Sequence, residues 1–320
     1  MAFKIYEDQF YSGMYEIVQQ NSEAFNAASN NTMNIIPREH IGDFSKEAFF
    51  TEEDNVVTRR DITSSADGTA TELDSDEEIG MKLYRRFQWE KKLTDIKRIG
   101  YNEQEYSFVV GQQTAAYKMK EMLNTALLAL TTVLAKSANN YLDITGDSPN
   151  TLNYDALPEL LMKFGDRAGR LGHFVGHSKP LFNLMGDSFN TQTDNVAGFA
   201  LNTGEFPILG RSLATTDSPE LVVADGISSG VDSYRTLVLA GGAIRLEESE
   251  PEQVVQETVT GKENLIVRTQ GEFGYTLKVK GFKYTDTGAN PDDSALGTAG
   301  NWTQVASDTK NTPGVFIETA

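Results

Sequence analysis

QQTAAYKMKEMLNTALLALTTVLAKSANNYL, residues 112–142, is the stretch around which the rest of the chain is organised. Met119, Met122, Ala126, Leu130 and Val133 recur at helical spacing, and Leu123, Leu127 and Leu134 widen the stripe. Gly111 precedes the run, no proline interrupts it, and its interior holds good helix formers. At ~1.5 Å per residue the predicted helix is roughly 45 Å long, more than most globular domains use. The uncharged segment Met122–Ala135 lies between Glu121 and Lys136. It falls short of the roughly 20 apolar residues a membrane span requires. The stretch therefore reads as the core helix, or spine, of a soluble fold.

Composition bounds what surrounds it. The 320 residues suffice for one large core or two modest ones, and 39% apolar with 23% charged residues is the balance of a folded chain. There is no cysteine, which excludes disulfides, thiolate metal sites and a cysteine nucleophile. The first residues, MAFKIYEDQFYSGMYEIV, lack the apolar core of a signal peptide, so a cytoplasmic site of synthesis is the expectation. The net charge is −18, from 46 acidic and 28 basic residues. A protein whose main task is gripping phosphate carries the opposite excess. One local exception, Lys82–Lys92, interleaves basic residues with aromatics. It reads as a solvated or intersubunit strand in preference to a nucleic-acid face.

In chain order, residues 1–42 form an arm rich in aromatics, among them Phe10, Tyr11 and Tyr15, followed by a polar run. Residues 43–99 read as two extended segments joined through an acidic tip, Thr63–Glu78, with Met81, Leu83, Phe87 and Trp89 on one parity. A hairpin with so little apolar surface must lie on the body or on another chain. After the spine, residues 143–247 alternate helix and strand. Helices are expected at Leu157–Arg170 and from Lys179, and strands at His173–His177 and Thr236–Arg245. From 248 to 285 the pattern is β, with turns at Gly261-Lys262 and Gly271–Gly274. Residues 286–320, rich in Gly, Asn, Asp, Ser and Thr, read as a peripheral tail or insertion. The fold class is α+β.

Candidate chemistry is thin. His173 and His177 are four apart, which on a strand separates them by roughly 13 Å, too far to share an ion. Gly176-His177-Ser178-Lys179-Pro180 sits where a nucleophile elbow would, but Pro180 replaces the second glycine. Asp74–Glu78 lacks the order of an EF-hand loop, and Gly261-Lys262 lacks the P-loop glycine. No catalytic, cofactor-binding or metal-ligating set emerges.

Three segments downstream of the spine, Gly172–Leu184, Leu209–Pro219 and Gly271–Tyr284, occur in an order and spacing that resemble the major capsid proteins of tailed bacteriophages with the Hong Kong 97-type fold. The resemblance covers roughly residues 40–285. It implies an N-terminal arm (1–42), an extended loop reaching over a neighbour (43–99), and a peripheral domain built from the spine (100–142) and the strands of 248–285. An axial domain (143–247) completes the body, and the tail (286–320) lies outside the likeness. The implied protein is a non-enzymatic subunit that assembles as hexamers and pentamers into an icosahedral virion head. The head encloses double-stranded DNA without sequence-specific binding and without a membrane or cofactor. A separate scaffolding protein and a portal are the implied partners, and whether a decoration protein binds is left open by the sequence. Phe10, Tyr11, Tyr15, Arg85, Arg86 and Trp89 are the expected intersubunit contacts. The alternatives are an encapsulin-like shell around a protein cargo, and a soluble α/β hydrolase using Ser178 with His173 or His177.

Overall fold

A computed structural model describes the chain apart from residues 1–7, 16–17, 20–25, 27–28, 30, 51–56, 58, 60–61, 64–71, 73, 100–101, 192–204 and 207–210. Strands β1 (Met33–Pro37), β2 (Phe44–Phe50) and β3 (Ser75–Lys92) precede a short helix, Leu93–Ile99, and the spine helix, Glu103–Ala135. Next come β4 (Tyr141–Asp143), a helix at Ala156–Met162, β5 (Leu171–Gly176) and a helix at Ser178–Thr191. Strands β6 (Glu205–Phe206), β7 (Arg211–Thr215), β8 (Val222–Ser228) and β9 (Val231–Ala240) follow. The long strands β10 (Ile244–Val259) and β11 (Ile266–Val279) lead to β12 (Phe282–Tyr284), β13 (Trp302–Gln304) and β14 (Gly314–Thr319).

These strands form two large sheets and a two-stranded one, β12-β13. The first has the order β1-β10-β11-β3-β2, and the second β4-β14-β9-β5-β7-β6 with β8 beside β9. One continuous core joins the spine to both. It takes Met81, Leu83, Leu246, Tyr275 and Leu277 from the first sheet and Val175, Leu237, Leu239 and Phe316 from the second. Met122, Ala126, Leu130 and Val133 of the spine are fully buried in it, and Met119 packs at its edge. The spine is covered nearly all round between 122 and 134, which is why its apolar stripe is so wide. The other face of the second sheet packs on the two helices at 156–162 and 178–191 through Leu157, Leu160, Leu181 and Leu184.

The spine starts nine residues earlier than its periodicity predicts. Asn102 and Glu105 form a reciprocal capping box: Glu105 N donates to Asn102 Oδ1 (2.8 Å) and Asn102 N to Glu105 Oε2 (3.0 Å). Gly111 lies inside the helix because the arm crosses there, and a Cβ would stand 2.4 Å from the Phe10 carbonyl oxygen. Glycine here marks a close approach, not a boundary. The helix ends at Ala135, short of the expected 142, and Tyr141–Asp143 belongs to a strand.

Strand β2 pairs antiparallel with β3, as the hairpin reading expects, from Phe44 opposite Met81 to Phe50 opposite Ser75. Strand β3 also pairs with β11 along its length, so the hairpin is part of the body's own sheet. Ser75–Glu78 belongs to β3, while 64–71 and 73 of the acidic tip lie outside the described residues. The extended pattern stops at Lys92 and gives way to the helix Leu93–Ile99, whose acidic first turn and basic last turn suit its dipole.

Two expectations are corrected. No turn occurs at Gly271–Gly274, because β11 runs unbroken to Val279. Gly271 is opposite Phe87, whose ring lies over the glycine so closely that a Cβ there would stand only 2.4 Å from the ring Cζ. Gly271→Ala is expected to cost about 1–3 kcal/mol by displacing that ring, read as a lower denaturant midpoint. An unchanged midpoint would show that the ring yields freely. The second correction concerns 286–320, which is integral rather than peripheral. Trp302 and Leu296 are fully buried, β13 pairs with β12, and β14 lies between β4 and β9 with all six residues buried. The turn-rich composition of 286–312 masked the apolar run Val315-Phe316-Ile317.

Candidate intersubunit surfaces

The alternation of β3 turns Met81, Leu83, Arg85, Phe87 and Trp89 toward the spine and leaves Tyr84, Arg86, Gln88 and Glu90 exposed on the other face. Arg85 and Trp89 are engaged within the chain. Arg85 Nε donates to Glu121 Oε1 (2.8 Å) and Nη2 to Asp293 Oδ1 (3.1 Å). Trp89 Nε1 donates to Thr114 Oγ1 (3.1 Å). A groove of about 630 Å³ runs between β3 and the spine, lined by Arg85, Arg86, Phe87, Trp89, Tyr117 and Lys120 among others. On its rim Tyr117 is 60% exposed, with its ring 5.9 Å from that of Trp89.

Residues 8–15 of the arm are helical and lie on the same region. Phe10 is fully buried and stacks on Phe87 at 5.9 Å, in a cluster with Met14, Val110 and Val254. Tyr11 OH donates to the Glu252 carbonyl (3.2 Å) and accepts from Val254 N (3.0 Å). In the single chain these two aromatics therefore pack on their own body, whereas they were expected against a neighbour. Tyr15 is 52% exposed and Arg86 is exposed, so these two retain outward surface.

The outer face of the first sheet is polar and crossed by the chain. After β1, Arg38 N donates to the Glu248 carbonyl (3.2 Å) and His40 N to that of Ser249 (3.3 Å); Lys82 N then donates to Asp43 O (2.8 Å) on the far side. Charged groups are buried below and beside this strap. Glu247, fully buried, lies 3.1 Å from Arg38, 3.4 Å from Lys278 and 3.7 Å from Arg245. Glu47 contacts the same three cations at 2.6, 2.8 and 3.3 Å. On the spine side, buried Lys118 pairs with Glu248 at 2.6 Å and with Glu252.

The Lys278 hydrogen bond, aided by Arg38 and only partly opposed by burial, lowers the Glu47 pKa to about 2. A depressed carboxyl pKa contributes stability that is present above the unfolded value, near 4.5, and lost as pH falls through 2. Glu47→Gln is therefore expected to flatten the acid side of the thermal-stability profile between those limits. An identical profile in the variant would show that Glu47 has no part in it.

Among the described residues no group of three or more His, Asp or Glu is placed to hold a metal. His173 is buried in β5, and burial lowers its pKa to about 4. His177 Nε2 lies 3.6 Å from Asp217 Oδ1, and His177 Nδ1 accepts from Lys179 N (3.2 Å). Ser178 N donates to Asp217 Oδ1 (3.4 Å), and the Ser178 hydroxyl holds the Asp217 pKa below its ordinary value. These contacts tie the start of the helix to the loop after β7.

A family model described as Gp13-like, major capsid protein 13-like, matches residues 2–316. No curated protein matches the chain. Among solved structures, the capsid of Ralstonia phage GP4 is similar with a TM-score of 0.58 at 11% identity, over 91% of this chain and 87% of that one. The cyanophage Pam1 capsid asymmetric unit gives a TM-score of 0.55 at 12% identity, over 85% and 89%. The acidic stable capsid of Helicobacter pylori bacteriophage KHP30 gives 0.55 at 9% identity, over 91% and 88%. These likenesses are of fold, and the fold is the Hong Kong 97 type.

Proposed function

The chain belongs to the Gp13-like family of major capsid proteins, and from that premise we propose the kind of shell it builds. It is a structural subunit of a phage capsid. Its copies assemble as hexamers and pentamers into an icosahedral head that encloses double-stranded DNA without reading its sequence. The spine and first sheet form the peripheral domain, and the second sheet with its two flanking helices forms the axial domain. Exposed Tyr15 and Arg86, with the groove beside Tyr117, meet neighbouring copies. A scaffolding protein and a portal are its partners, and the subunit is made in the host bacterial cytoplasm.

The observation that carries this reading is the family match over 2–316, which runs from the arm through hairpin and spine into the start of the closing strand. It favours a phage head over an encapsulin-like compartment or a hydrolase. Size-exclusion chromatography with light scattering, then negative-stain microscopy of any large species, tests it. Hollow uniform particles or capsomer rings are expected. A chain that stays monomeric or dimeric even with its scaffold present would contradict it.

A further inference from the structure

The turn between β10 and β11 (260–265) meets the helix Leu93–Ile99 at one end of the first sheet, where Leu93 N donates to the Leu265 carbonyl at 3.0 Å. Lys91, Lys92, Lys97, Arg98 and Lys262 are all exposed at this tip. Among the described residues none of the five is in an ion pair, whereas Lys82, Arg85, Lys118, Arg245 and Lys278 of the same sheet and spine all are. Arg268 occupies the nearby carboxylates Glu90 and Glu257. With Arg268 counted, six cations stand against Glu90, Glu257, Asp95 and Glu263, a local charge of +2 in a chain of −18. Two large apolar side chains lie exposed among them, Ile99 at 63% and Leu265 at 47%.

Copies of a chain this acidic repel one another at a distance, and their contacts gain register where opposite signs meet. The tip offers a local excess of the sign in which the chain as a whole is deficient. Its make-up also distinguishes between partners. An apolar centre inside a charged rim is the anatomy of a protein contact, while a nucleic-acid track combines cations with stacking aromatics.

We propose that this tip docks on an acidic face of a second copy of the chain, with Ile99 and Leu265 at the centre and the five cations around them. The contact is heterologous, joining different surfaces of the two copies, and so can close into rings. The proposal rests on the shell reading above and names one of the contacts that reading requires.

The test is association of the full chain, measured by light scattering from low salt to about 0.5 M. Wild type is compared with Lys97→Glu/Arg98→Glu and with Leu265→Ser. The charge-reversed variant is expected to associate at least about tenfold more weakly at low salt, to lose most of its salt dependence, and to keep the wild-type melting temperature. Leu265→Ser is expected to weaken association while leaving the salt dependence in place. Assembly of the charge-reversed variant at the wild-type level and salt dependence would overturn the proposal while leaving the shell intact. If that variant instead lost only the binding of a short DNA duplex, the partner would be nucleic acid and the proposal would again fall. A wild-type chain that forms no assembly even with its scaffold present would remove the shell reading and the docking together.

Discussion

Removal of residues 314–320 is expected to abolish cooperative folding. Strand β14 is an inner strand of the second sheet, parallel to β4 on one side and antiparallel to β9 on the other. Val315, Phe316 and Ile317 are fully buried and reach both cores: Phe316 packs with the spine cluster, and Val315 and Ile317 with the two flanking helices. Full burial of such side chains contributes about 1.5–3 kcal/mol each, so the three together approach the whole stability of an ordinary domain, about 5–15 kcal/mol. Loss of the strand also leaves the β4 and β9 edges unpaired within a buried layer. The truncated chain should be recovered as aggregate, or show no sharp transition by circular dichroism. A soluble variant melting like wild type would mean that the strand is dispensable.

The second large effect is expected at Lys118. Its ammonium group is buried between the spine and β10, against Glu248 and Glu252, and sits over the Phe273 ring at 5.3 Å. Burial alone would lower its pKa; the two carboxylates more than offset this, and the pKa is raised above 10.5. Lys118→Ala leaves two carboxylates facing each other with no cation between them. Removal of one member of such a buried set costs roughly 3–5 kcal/mol. Because the folded pKa is raised, the contribution of Lys118 is complete below the ordinary lysine value and is lost only as pH rises through the raised one. Denaturant unfolding at neutral pH should show the full deficit, and the gap to wild type should narrow only in strong alkali. A deficit below about 1 kcal/mol at neutral pH would class the pair with surface ion pairs.

Periodicity made the spine, the hairpin and the long β10–β11 pair legible, because each buries one face and leaves a pattern of 3.6 or 2. It failed where tertiary contacts override local chemistry. Gly111 and Gly271 read as punctuation, yet each accommodates a neighbour, the Phe10 backbone in one case and the Phe87 ring in the other. Strand β14 was hidden by the turn-rich segment before it. The site was less legible than the fold. Phe10, Arg85 and Trp89 have the residue types of interface anchors, but their positions in three dimensions give them partners inside the chain. The basic tip joins Lys91 and Lys92, visible in sequence as a cluster, to Lys262 from a turn some 170 residues away. Only the pairing of β3 with β11 brings them together.

The central claim is that this chain builds the shell. Electron cryomicroscopy of purified particles tests it most directly. The expected result is a closed icosahedral surface tiled by copies of this two-sheet body, with the spine and first sheet repeated in every subunit. A shell built from another protein, with this chain attached outside it or missing, would contradict the claim.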